Sequence, residues 1–115
     1  MMKCIAIDYD GTWTYNEKLM GKLVDTMADA CVPVVCATSR SGSDSDRQEM
    51  RKVVPKWIPI VFCGNQYKLS CLRAVGYDPI YTIDDQPESW VFPEPIWVVR
   101  LWGAWKWFLK RLGFA

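Results

Sequence analysis

The sequence predicts an α/β fold, a parallel sheet covered by helices on both faces. Two observations carry this. Short apolar runs alternate along the chain with segments whose apolar residues recur at helical spacing. The runs are apolar along their whole length, as strands buried on both faces are. The 115 residues fit one domain, and 50% are hydrophobic against 23% charged, enough apolar content to bury a core.

Residues 3–9 (KCIAIDY) form an apolar run that ends in acidic residues and a glycine, a first strand feeding a loop. Residues 17–30 place Leu19, Leu23, Val24, Met27 and Ala30 at helical spacing. Around Pro33 a β-branched run (VPVVCA) opens the second strand, which ends at Thr38 and Ser39. A loop rich in Ser, Gly and Asp follows, in which Ser45 or Asp46 caps a helix running to about Val54. Residues 57–63 read as a third strand stopped by Gly64, and Pro59 marks it as an edge. Residues 67–75 form a short helix with Leu69, Leu72 and Val75 facing inward and Gly76 as its stop. Residues 79–83 are a fourth strand ended by Asp84 and Asp85. Pro87, Pro93 and Pro95 punctuate a loop before a candidate fifth strand at 96–99 and a terminal helix at 101–112. Residues 1–99 are thus expected to make the α/β core, with 100–115 a basic amphipathic helix of the same domain.

Composition removes several functions. The absence of histidine eliminates Ser-His-Asp and Cys-His nucleophiles and every histidine-based metal site. Five cysteines, with no Cys-x-x-Cys pair and no secretory signal, argue against a disulfide framework and for a reduced, cytoplasmic setting. They read as buried small hydrophobes. A net charge of +1 gives no bulk attraction to nucleic acid. No apolar run reaches the roughly eighteen residues that cross a bilayer.

In a parallel sheet ligands sit beyond the carboxyl ends of the strands, where the strand order reverses. Here those ends bring Asp8 and Asp10, Thr38 and Ser39, and Asp84 and Asp85 together. Gathered carboxylates repel one another and are costly to desolvate unless a cation compensates. An oxygen-only ligand set selects a hard ion, and Mg²⁺ is the abundant one that shares its shell with phosphate. Lys68, at the start of the helix before the fourth strand, can reach over the same ends and offset phosphoryl charge; Lys56 and Arg73 are the alternatives nearby.

Asp8-Tyr9-Asp10-Gly11-Thr12 after an apolar strand resembles the DxDGT signature of the haloacid dehalogenase superfamily, which consists mostly of Mg²⁺-dependent phosphatases. Thr38, Lys68 and Asp84-Asp85 follow in that family's order, so the resemblance covers residues 3–88. It implies a Rossmann-like core in which Asp8 attacks phosphorus and becomes an aspartyl phosphate. Asp10 protonates the leaving oxygen and then activates water. Thr38, with Ser39 beside it, bonds a phosphoryl oxygen, Lys68 holds the phosphoryl group and the nucleophile, and Gly11 and Thr12 shape the turn at the phosphate site. Asp84 or Asp85 completes the Mg²⁺ shell with Asp8 and the Asp10 carbonyl, and Arg40 reaches substrate phosphate. The segments between Asp10, Thr38 and Lys68 hold one helix and one strand each, leaving no room for the cap domain common in the family. A capless member implies a phosphorylated substrate that is extended or macromolecular, such as a nucleic-acid end or a phosphoprotein, or a partner that supplies the lid.

The terminal segment supports a rival reading. Leu101, Trp102, Trp105, Phe108, Leu109 and Leu112 share one helical face, and Arg100, Lys106, Lys110 and Arg111 the other. That face either covers the sheet or docks to a membrane surface or protein through Trp102, Trp105 and Phe108, and left exposed it favours self-association. A non-catalytic adaptor that keeps the fold is the corresponding alternative.

Overall fold

The computed structural model describes residues 1–86 and Trp90. The predicted strand at 96–99, the helix at 101–112 with Trp102, Trp105 and Phe108, and the division at residue 100 lie outside the described residues.

Among the described residues strands and helices alternate: β1 (Met2–Asp8), α1 (Glu17–Asp29), β2 (Val34–Thr38), α2 (Asp44–Arg51), β3 (Ile60–Phe62), α3 (Lys68–Ala74) and β4 (Tyr77–Ile83). The four strands form one sheet in the order β3-β2-β1-β4, and each pairing is parallel. This is an α/β fold, with β3 at an edge as Pro59 implies. The chain steps outward from β1 to β2 to β3, then crosses to the far side of β1 for β4. The order therefore reverses between β1 and β4, where a crevice is expected at the carboxyl ends.

Strand residues alternate between two apolar layers. On one face Ile7, Val34 and Cys36 pack with Val24 of α1 and Met50 of α2; on the other, Cys4, Ala6, Val35 and Ala37 pack with Leu72 of α3 and with Trp90. The sheet is covered on both faces, which is why its central strands are apolar throughout. Burial pushes the Cys36 thiol up to about 12, so it serves as packing. Cys4, Cys63 and Cys71 are also buried, but Cys31 is exposed, at a positive φ of 58° just after α1.

Several local expectations are corrected. The cap of α2 is Ser43, whose hydroxyl accepts the Asp46 N–H at 3.2 Å, and neither Ser45 nor Asp46. That helix ends at Arg51, whose guanidinium turns to the carbonyls of Pro55 and Ile58, both at 2.8 Å. The inward stripe of α1 is Met20, Val24 and Met27, leaving Leu19 54% exposed and Ala30 outside the helix. Val75 follows the last turn of α3 and is 58% exposed. β3 spans three residues, with Trp57 half exposed before it. β4 begins two residues early because Tyr77 and Asp78 pair with Met2 and Lys3. Among the described residues no helix is long and apolar enough to cross a membrane.

Candidate active site

The site is built at the carboxyl ends of β1 and β4. β1 delivers Asp8 with its side chain almost wholly buried. The chain then turns tightly through Tyr9–Trp13, where Gly11 has a φ of 80°. A side chain at Gly11 would strain the left-handed backbone, and its Cβ, 2.5 Å from an Asp85 carboxylate oxygen, would push that side chain aside. The turn brings Thr12 back toward the strand end. Its hydroxyl lies 3.2 Å from Asp8 Oδ2 and 3.4 Å from Asp85 Oδ1, and accepts the Asp85 N–H at 3.1 Å. One threonine thereby ties the end of β1 to the end of β4.

Lys68 opens α3. Side chains on a helix tilt toward its N-terminus, so the first residue of α3 reaches back over the sheet. Its Nζ donates to Asp8 Oδ1 and Asp84 Oδ2, both at 2.6 Å, and the residue is only 3% exposed. Lys56 is exposed and Arg73 pairs loosely with Asp78 at 3.7 Å, so Lys68 is the cation of this cluster. Asp84 is held on both oxygens: Oδ2 also accepts the Trp90 indole N–H at 2.6 Å, and Oδ1 the Gln86 N–H at 2.8 Å.

Burial dominates the electrostatics. Desolvation pushes Asp8 up from its ordinary 3.8 to about 6, with Lys68 pulling it down and Asp84 and Asp85 adding to the rise. Burial opposes the Lys68 ammonium as well, but its bonds to Asp8 and Asp84 outweigh that and hold it above its ordinary value. Asp10 differs. It is exposed, and Arg40 donates to its two oxygens from Nε and Nη2 at 2.9 and 2.8 Å, keeping it below the usual carboxylate range against a smaller effect of burial. Arg40 is itself held from behind by α2, through Glu49 at 2.7 Å and Asp46 at 3.3 Å.

A cavity of about 200 Å³ opens over these groups, lined by Asp8, Asp10, Ser39, Lys68, Asp84, Asp85 and Gln86. Asp8, Asp84 and Asp85 each offer a carboxylate oxygen, all within 4.8 Å of one another. Three hard oxygen donors at that spacing suit a divalent cation of the Mg²⁺ type. Asp8 and Asp84 are each engaged on both oxygens, and Asp85, the exposed member of the three, is the donor best placed to turn toward an ion.

The expected residues thus fall into three groups. Asp8, Thr12, Lys68, Asp84 and Asp85 form one bonded cluster. Asp10 and Ser39 line the same cavity. Thr38 and Arg40 are placed otherwise: Thr38 is fully buried at the end of β2, its Oγ1 accepting the Arg40 N–H at 3.2 Å, and the Arg40 side chain is engaged by Asp10, Asp46 and Glu49. Sequence reasoning missed Glu49, Asp46 and Trp90. The first two lie on the exposed side of α2, where acidic residues need no explanation, and Trp90 lies beyond a proline with no periodicity to place it.

Compared with known proteins, the chain matches no family model, no curated protein and no solved structure.

Proposed function

We propose that the protein is a Mg²⁺-dependent phosphomonoester hydrolase with a capless Rossmann-like core of the haloacid dehalogenase type, acting through an aspartyl phosphate on Asp8. The observation that carries this is the bridge from Lys68 to Asp8 and Asp84 at 2.6 Å. Lys68 is 60 residues from Asp8 in sequence, yet it meets the two carboxylates that the phosphatase signature would pair it with.

In this reading Asp8 is oriented before substrate arrives, one oxygen held by Lys68 and the other near the Thr12 hydroxyl. The carboxylate attacks phosphorus, an O–P bond forms, and the bond to the leaving oxygen breaks. Asp10, on the open side of the cavity, is ionised while paired with Arg40 alone; it takes up a proton from solvent as the negatively charged phosphate enters beside it, and gives that proton to the leaving oxygen. Asp10 next takes a proton from water, whose oxygen attacks phosphorus, and the bond to Asp8 breaks to release phosphate and restore the carboxylate. Lys68 offsets negative charge at the phosphoryl group throughout. Ser39, which lines the cavity, supplies a hydroxyl to a phosphoryl oxygen. Arg40 fixes the Asp10 side chain from the rim. Asp8 and Asp85, with Asp84 behind them, would hold Mg²⁺, which when bound withdraws charge from the phosphoryl oxygens.

The substrate reading follows from space. A cavity of about 200 Å³ is too small to enclose a metabolite, and the links from β1 to β2 and from β2 to β3 each carry one short helix and no lid domain. The phosphate would enter while the rest of an extended substrate stays outside.

Hydrolysis of an aryl phosphate by the purified protein, with Mg²⁺, with EDTA and with Asp8→Asn in parallel, tests the proposal. Release that needs Mg²⁺ and disappears in Asp8→Asn is expected; release that survives either change contradicts it.

A further inference from the structure

Trp90 has no part in the reaction above, yet it makes more contacts to the site than a core residue needs. The residue is 3% exposed and packs in the layer formed by Ala6, Val35 and Leu72. Packing alone would leave the indole N–H without purpose. Instead it donates to Asp84 Oδ2 at 2.6 Å, the same oxygen that takes Lys68 Nζ. The Lys68 ammonium also lies 5.5 Å from the centroid of the Trp90 ring, within cation–π range. The backbone of Trp90 adds a third tie, because its carbonyl accepts the N–H of Leu69 at 3.1 Å in the first turn of α3, next to Lys68.

We propose that Trp90 is a positioning residue, fixing the Lys68–Asp84 pair so that the Lys68 ammonium is presented to Asp8. A lysine shared by two carboxylates can move toward either one, and its place is set by whichever is held more rigidly. Asp84 is that one: its side chain is 1% exposed, and Trp90 and Gln86 anchor its two oxygens. With the indole N–H gone, Oδ2 loses a donor that fixes its direction, and the carboxylate presents Lys68 to Asp8 less firmly. The contribution of Trp90 to the reaction rests on the phosphatase reading; its hold on Lys68 does not.

The test uses the full chain labelled with ¹⁵N. A buried ammonium held by two carboxylates exchanges its protons slowly enough to give a resolved lysine side-chain resonance, whereas exposed lysines lose theirs to water. That resonance, assigned by its loss in Lys68→Met, is expected in the wild-type protein. It should broaden or vanish in Trp90→Phe and Trp90→Leu, which keep an apolar side chain in the core and remove the indole donor. The backbone spectrum and the Trp13 indole signal, from the opposite layer, should stay in place. An unchanged Lys68 resonance in either variant overturns the proposal. So does a wild-type Trp90 indole proton that exchanges at solvent rates, a measurement that needs no variant. For aryl phosphate hydrolysis, Trp90→Phe should lower kcat about tenfold with KM little changed, the loss that one hydrogen bond to a charged group represents. An unchanged kcat overturns the role in the reaction. If the wild-type protein hydrolyses nothing, the phosphatase reading falls and the resonances still decide whether Trp90 positions Lys68.

Discussion

Replacing Asp8 by asparagine separates the cost of burying its charge from everything else at the site. The amide has the shape of the carboxylate, keeps an oxygen for Lys68 and turns its NH2 to the Thr12 hydroxyl, which accepts in place of donating, and it does not titrate. In the folded protein without metal, burial raises Asp8 from 3.8 to about 6. Between those values the folded state holds a proton that the unfolded chain has released. The wild-type protein must therefore lose stability relative to Asp8→Asn as pH rises through that window. At 1.36 kcal/mol per pKa unit, the loss is about 3 kcal/mol, complete a little above pH 6. Urea unfolding followed by circular dichroism in EDTA, at intervals from pH 4 to 7.5, measures it; with a slope of about 1–3 kcal/mol per molar urea, the difference in midpoint should change by about 1 M or more. Mg²⁺ at pH 7 should restore stability to the wild-type protein far more than to Asp8→Asn, because it binds the ionised carboxylate. A difference between the two proteins that stays constant with pH would refute the reasoning. A difference that grows in the wild-type protein's favour would show that the Lys68 pair outweighs burial at Asp8.

Three further outcomes follow from the same geometry. Lys68→Met leaves Asp8 and Asp84 buried without their shared cation and should cost about 3–5 kcal/mol in urea unfolding, with Lys68→Arg restoring little, since a planar guanidinium does not fit between two carboxylates spaced for an ammonium. Gly11→Ala should cost at least about 1 kcal/mol for the left-handed backbone, and by pushing Asp85 aside it should weaken Mg²⁺ binding in calorimetry; unchanged affinity would remove Asp85 from the ligand set. Arg40→Gln removes the group that holds Asp10 low, so the Asp10 carboxyl resonance should titrate at a higher pH, and an unmoved titration would show that Arg40 and Asp10 are not paired in solution.

Up to β4 the strands and helices were legible because the central strands are buried on both faces and announce themselves as apolar runs. What eluded the sequence lay at the ends of elements and in contacts between them. Ser43, Ser45 and Asp46 are all competent caps, and the choice of Ser43 depends on where the loop after Thr38 enters the helix. The inward stripe of α1 could be drawn through Leu19 or through Met20, and the contact with the sheet selects Met20. Tyr77 and Asp78 join β4 because Met2 and Lys3 are there to pair with, which no local pattern records. At the site, Asp8, Lys68, Asp84 and Asp85 were readable because each stands at or just beyond the end of a recognisable element, and Thr12 because it closes the DxDGT-like run. The engagement of Arg40 by Asp10 and Glu49 was not, since it joins three segments whose placement depends on the whole fold.

The central claim is a covalent phosphoryl group on Asp8, and trapping it is the most direct measurement. The protein is mixed with an aryl phosphate and Mg²⁺, quenched in acid during turnover and reduced with borohydride, which converts an aspartyl phosphate to homoserine. Mass spectrometry of the peptide carrying residues 3–18 is then expected to place that change at Asp8, absent in EDTA and in Asp8→Asn. Steady hydrolysis with Asp8 unmodified, or modification at another carboxylate, would contradict the account.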